Sequence, residues 1–224
     1  MPRIKICCIK SIEEAKMAIA AGASAIGLVG RMPSGPGPIS DDLIRIIAAS
    51  VPPPIATFLL TSETTAEGII NHHRKVNTST IQIVDMPDDG AYDKIRSSLP
   101  SVKLVQVIHV IDENSVSQAV RISGHADALL LDSGNPFLKI KELGGTGRVH
   151  NWVLSRKIVE AAKCPVFLAG GLKPENVRMA VEQVQPFGID VCSGIRTNGD
   201  LDPDKLSRFI ATVRQCDNAR GRGR

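Results

Sequence analysis

Eight short apolar, β-branched runs recur along this chain at a fairly even pace, and each is followed by a stretch with helical periodicity or a helix-start signal. The runs lie at 4–7, 25–29, 55–60, 80–84, 103–110, 128–131, 166–169 and 189–192. Alternation of this kind is what a parallel sheet with crossover helices requires. The first intervening segment, "SIEEAKMAIAAG", carries Ser11 as N-cap, Glu14 as its capping-box partner and Gly22 as a stop, with Ile12, Ala15 and Ile19 along one face. Further helices are expected over 41–50, 65–74, 91–99, 114–122, 153–162, 174–185 and 202–216, with Pro174 suited to a first turn. Eight strand–helix units predict an α/β fold closed as a (β/α)8 barrel. The rival is an open doubly wound sheet, whose dinucleotide-binding form needs a glycine-rich turn after the first strand. The sequence there reads "CCIKSIEEA".

A chain of 224 residues with 43% hydrophobic and 22% charged residues suits one such barrel. We assign 1–216 to a barrel catalytic domain and 217–224 to a disordered basic tail. That tail holds three arginines against one aspartate, so it supplies about half of the net charge of +4, and the body is near neutral. With aromatic content at 3%, few rings are available to stack bases, and no nucleic-acid partner is expected. The five cysteines, Cys7, Cys8, Cys164, Cys192 and Cys216, show no CxxC pair and no paired histidine spacing, which argues against a disulfide or metal framework. The N-terminus lacks the apolar core of a signal peptide, and no run approaches the roughly 18 apolar residues of a membrane span. A cytoplasmic protein without a membrane partner is expected, as monomer or homodimer.

In a (β/α)8 barrel chemistry sits where strands stop. The first stops at Cys7 and Cys8, the sixth at Asp132, and the last two in "LAGGLKPEN" and "DVCSGIRTNG". Cys7 reads either as a small buried hydrophobe or as a thiolate base, if a cation or helix N-terminus lowers its pKa. Cys8 should point the other way and pack. Asp132 reads as a turn cap or as a carboxyl of raised pKa that can donate a proton near neutrality. Gly170, Gly171, Ser193 and Gly194 stand at both places where such barrels build a phosphate cradle, so a phosphorylated small molecule is the expected ligand. The long "DSGNPFLKIKELGGTGRVHNW" segment is either a lid over the site or a surface excursion. His125 and His150 are expected at the surface or in turns, His72 and His73 on a polar helix face, and His109 either lining the mouth or packing.

The motifs "KIC", "LLLDS" followed by "GGTG" and Trp152, "LAGGLKPENV" and "GIDVCSGIRT", in this order along most of the chain, resemble the phosphoribosylanthranilate isomerases of tryptophan biosynthesis. The resemblance implies a single barrel, without metal or cofactor, that performs an Amadori rearrangement. Cys7 matches the family's general base and Asp132 its general acid; Gly170, Gly171, Ser193 and Gly194 match its phosphate loops, and the glycines of 144–147, Gly144 and Gly145 among them, its mobile sixth loop. Gln82 is kept from the family's "QLHG", which reads "QIVD" here. Other positions depart: "KICG" becomes "KICC", the Asp before Trp152 is Asn151, and the family's "SPR" arginine, which holds the anthranilate carboxylate, has only the earlier Arg31 as candidate substitute. Isomerisation of a different phosphorylated sugar amine and a non-catalytic phosphate-ligand-binding barrel are the alternatives.

Overall fold

The computed structural model describes residues 1–221, with side chains described as far as Cys216. Eight parallel strands close on themselves: β1 Arg3–Ile6, β2 Ala25–Val29, β3 Ala56–Thr61, β4 Thr80–Ile83, β5 Lys103–His109, β6 Ala128–Asp132, β7 Val166–Leu168 and β8 Gly188–Val191. Arg3 pairs with Gly188 and Ile6 with Val191, which seals β8 to β1. The crossover helices are α1 Ile12–Ala21, α2 Asp41–Ser50, α3 Ala66–Val76, α4 Ala91–Ser98, α5 Asn114–Ile122, α6 Trp152–Ala161, α7 Val177–Val184 and α8 Pro203–Gly221. α8 continues beyond Cys216, and the expected tail of 217–224 lies at and past the edge of the described residues.

Alternation along each strand fixes two apolar layers. Ile4, Ile6, Ile26, Leu28, Leu59, Leu129 and Leu131 pack outward with helix residues such as Ala15, Ala18, Ile44, Ile47 and Ile158. Val29, Phe58, Leu60, Val105, Val107, Leu130 and Phe167 fill the barrel's interior. Each such fully buried side chain contributes about 1.5–3 kcal/mol, so the register is strongly specified. The same parity turns Lys5, Cys7, Gln82, Asp132 and Asp190 inward and decides which polar groups can meet.

Helix starts follow local chemistry. Glu14 N–H donates to Ser11 Oγ at 3.1 Å, and Gly22 ends α1 in the left-handed region. Asn151, in the place of the family's Asp, caps α6 by accepting from Val153 N–H at 2.9 Å. Two expectations are corrected. His73 is buried with Nε2 2.7 Å from the Thr78 carbonyl, and His72 lies between Thr61 Oγ1 at 2.8 Å and Asp41 at 3.2 Å, so neither sits on a plain polar face. A short hairpin, β9 Arg196–Thr197 with β10 Asp200–Leu201, follows β8, an element outside the eight expected strand–helix units. Its Asn198–Gly199 pair has φ values of 53° and 88°, the conformation two-residue hairpin turns need.

Candidate active site

The inward strand ends open into a cleft at the carboxyl-terminal mouth, lined by Cys7, Gln82, Asp132, the 144–147 loop, Gly170, Gly171 and Ser193. Strand parity and topology alone bring these residues together from positions up to 186 apart in the chain.

Cys7 directly follows β1, its N–H donating to the Val191 carbonyl at 2.8 Å, which pins the thiol to β8. Two residues earlier on the same face is Lys5, wholly buried and 3.0 Å from Asp190 Oδ1 in an ion pair inside the barrel. Burial opposes the Lys5 charge, but Asp190 and Cys7 outweigh it and hold the ammonium above its usual pKa. Burial, reinforced by Asp190, pushes the Cys7 thiol up to about 11, while Lys5 draws it down. The expectation of a depressed thiol pKa is therefore corrected. A cation is present, but desolvation wins.

Asp132 ends β6 on the inward face and is 9% exposed. Its Oδ1 accepts from Ser133 N–H at 2.6 Å, whereas Oδ2 faces Gly144, where a Cβ would come within 2.7 Å of it. Only glycine leaves that oxygen room to reach the cleft. Burial raises the carboxyl's pKa, against the Ser133 hydrogen bond and the charges of His109 and Lys5. Asp132 therefore has the protonation bias that the sequence analysis required of an acid.

Beside it the β7 and β8 loops converge, a Cβ on Gly170 falling 3.1 Å from Ser133 Oγ. A Cβ on Gly171 would lie 2.8 Å from the Gly147 carbonyl, and one on Gly147 3.7 Å from Ser193 Oγ, so three loops meet around one small space. Gly194 stands just outside the lining and acts through packing: a Cβ there would fall 1.9 Å from the Leu172 carbonyl. Thr146 reaches Ser133 Oγ at 2.7 Å, and Lys141 pairs with Asp85, the residue at the family's Gly in "QLHG", tying the sixth loop to the end of β4. The segment is thus a cover on the site rather than an excursion.

Gln82 is buried, and its Oε1 has no partner among the described residues, which leaves an acceptor facing the cleft. Gly145 lines the cleft and packs on Pro36 of the β2 loop. Arg31 does not meet the others: it is exposed and outside the lining, so its assignment as carboxylate partner is corrected. His109 faces the wall, Nε2 3.0 Å from the Val84 carbonyl, and His125 is exposed and stacked on Tyr92. His150 is half-buried, held to Ser155 Oγ at 2.7 Å and lowered to about 4 by burial, instead of lying at the surface.

Cys8 and Cys192 form a disulfide, with Cα atoms 5.9 Å apart, which overturns the expectation that the cysteines make no bridge. Spacing arguments look for cysteines close in sequence; these lie 184 apart and meet because β8 closes on β1. Lys5 and Asp190 were also missed. The signal was there: each sits two residues before a cysteine, on the same face of its strand. Among the described residues no cluster of metal-binding side chains occurs.

Fold and cleft together define a (β/α)8 barrel with the Cys7 thiol and the Asp132 carboxyl set into the face where such barrels carry out catalysis. Residues 4–212 match the N-(5'-phosphoribosyl)anthranilate isomerase family model, and the chain belongs to that family. It is 33% identical over 215 residues to the N-(5'-phosphoribosyl)anthranilate isomerase of Methanocella arvoryzae, covering 96% of this chain and 99% of the relative. Isomerase 2 of Methanosarcina mazei is 36% identical, at 93% and 92% coverage. Among solved structures, phosphoribosyl anthranilate isomerase from Thermotoga maritima superposes with a TM-score of 0.80 at 27% identity, covering 96% and 100%. A phosphoribosyl anthranilate isomerase in complex with reduced 1-(o-carboxyphenylamino)-1-deoxyribulose 5-phosphate gives 0.77 at 26% identity, covering 96% and 100%.

Proposed function

We propose that this protein isomerises N-(5'-phosphoribosyl)anthranilate to the carboxyphenylamino-deoxyribulose phosphate of tryptophan biosynthesis, with Asp132 as acid and Cys7 as base. The observation that carries the reading is the placement of a raised-pKa carboxyl and a lysine-backed thiol on inward positions of one cleft, beside a glycine-lined cradle. Asp132 protonates the ribose ring oxygen, and the ring opens to an iminium. Cys7, as thiolate, then removes the C2 proton, and the enolamine relaxes to the ketone. The iminium accepts the electron pair itself, so the chemistry calls for no metal or coenzyme. Phosphate sits against Gly170, Gly171 and Ser193, with Gly194 letting the two loops close on each other, and the Gln82 amide oxygen accepts from a sugar hydroxyl.

Purified protein mixed with N-(5'-phosphoribosyl)anthranilate should consume it rapidly, followed as loss of its fluorescence. A folded protein that leaves the fluorescence unchanged overturns the reading. Inorganic phosphate should compete, raising KM and leaving kcat unaltered.

One observation favours a second substrate, a phosphorylated sugar amine without anthranilate's carboxylate: no arginine or lysine lines the mouth cleft. Leaving a carboxylate there without a partner would cost several kcal/mol. Exposed Arg31 does not answer that need, so Arg31→Ala should change KM by no more than about twofold, the range of an ordinary surface substitution. A tenfold rise would return Arg31 to the site.

Cytoplasmic work as monomer or homodimer on a phosphorylated small molecule, with neither membrane nor nucleic acid as partner, completes the proposal. It is supported by the biosynthetic family and by the lack, among the described residues, of any helix long and apolar enough to cross a membrane.

A further inference from the structure

We propose that Cys8 and Cys192 are a thiol–disulfide exchange site opened by a soluble dithiol, and that their bridge sets the affinity of the cleft for its phosphate-bearing ligand. The proposal rests on the phosphate-cradle reading of Gly170, Gly171 and Ser193.

Three independent features point there. The first is backbone conformation. Cys8 has a φ of 61°, in the left-handed region, where a side chain costs about 1 kcal/mol or more relative to glycine, the residue the related motif carries at this place. Cys8 is held in that conformation only 4% exposed, and the loop above it makes room with Gly37, where a Cβ would fall 2.7 Å from Cys8 Cβ.

The second is what the bridge connects. Cys8 follows Cys7, and Cys192 precedes Ser193, so the bond ties the segment bearing the thiol to the segment bearing the cradle. Arg196 strengthens the same junction from beneath, donating to the Cys8 carbonyl at 2.5 Å while paired with Glu14 at 2.8 Å. With the bridge cut, the junction is left to Arg196 and to the Cys7 N–H bond to the Val191 carbonyl, and the cradle gains freedom to widen.

The third is access. Both sulfur-bearing residues line the cleft, but Cys8 is buried whereas Cys192 is half-exposed. An incoming dithiol therefore attacks as thiolate at the Cys192 sulfur. A mixed disulfide forms with Cys192, the Cys8 sulfur leaves as thiolate and takes a proton, and the second thiol of the reagent displaces Cys192. The reagent ends as a disulfide and the protein as two thiols, a balanced exchange of two electrons and two protons. In a cytoplasm kept reducing by thiols the pair would stand open, and an oxidant such as glutathione disulfide would close it.

The test measures the Kd for inorganic phosphate and the KM for N-(5'-phosphoribosyl)anthranilate, before and after treatment with dithiothreitol. In parallel, alkylation and peptide mass mapping follow Cys8 and Cys192. We expect a linked Cys8–Cys192 peptide before reduction, both residues alkylated after it, and Kd and KM raised about threefold or more together, with kcat moved less. That rise is about 0.65 kcal/mol at RT of about 0.59 kcal/mol. Cys192→Ser and Cys8→Gly should each show the reduced protein's Kd and no response to dithiothreitol. Reduction that lowers the thermal midpoint but leaves Kd and KM in place would make the bridge a structural cross-link only and overturn the proposal. So would peptide maps without the linked species after treatment with glutathione disulfide. If oxidised protein binds no phosphate, the cradle reading fails first, and the peptide maps still report whether the exchange takes place.

Discussion

Cys7→Ala should lower kcat by about 10³- to 10⁴-fold while the protein stays folded. A positioned general base contributes roughly 10² to 10⁴, and the two neighbouring inward groups, Lys5 and Asp190, are committed to each other in an ion pair. Loss of a single sulfur from the interior costs about 1 kcal/mol of stability, well inside what a barrel tolerates. KM should change little, because the proposed phosphate cradle is built from Gly170, Gly171 and Ser193 and makes no use of the Cys7 thiol. The measurement is steady-state turnover by fluorescence, beside a thermal melt. A Cys7→Ala protein with wild-type kcat removes the base assignment. Lys5→Met would be a poorer probe, since it strands Asp190 as a buried charge and breaking such a pair costs about 3–5 kcal/mol.

The architecture was legible in the sequence because its signal is repeated. A period-two strand followed by an amphipathic helix, eight times over, admits few closures, and each strand sits within a residue or so of its expected place. Cys7, Asp132 and the β7 and β8 glycines could be found for the same reason: a (β/α)8 barrel puts its chemistry where strands end. What stayed hidden depends on ring closure between distant segments. Lys5 meets Asp190, and Cys8 meets Cys192, only because β8 pairs with β1 in one register, and nothing local encodes that pairing. The pKa of Cys7 was misjudged on related grounds. Proximity of a cation can be guessed from sequence, but the depth of burial that outweighs it cannot. Arg31 failed as a candidate because an arginine in a mouth loop reaches the cleft only if the loop turns inward, and here the β2 loop turns its Met32, Ser34 and Pro36 to the cleft instead.

Asp132→Asn should cost about 10²- to 10⁴-fold in kcat, and the pH profile says why the two groups must be considered together. Turnover by the proposed route needs Asp132 protonated and Cys7 deprotonated, yet a carboxyl is ordinarily the stronger acid of the two by about four units, and burial raises both here, the thiol to about 11. Most of the enzyme at neutral pH therefore carries the proton on the wrong partner. Below the Asp132 pKa, a rise in pH increases the thiolate while the acid stays protonated, so kcat/KM climbs. Between the two pKa values each proton lost by Cys7 is matched by one lost from Asp132, and the profile is flat. Above about 11 only the acid is still being depleted, and kcat/KM falls. The active fraction on the plateau is set by the gap between the two values, tenfold per unit. Burial of Asp132 narrows that gap, whereas Lys5 draws both groups down. In Asp132→Asn the plateau and the fall beyond it should disappear, and kcat/KM should climb with pH up to about 11, because only the Cys7 thiol still titrates. A break from climb to plateau that survives at the wild-type position would assign it to another group, and with it the role of acid.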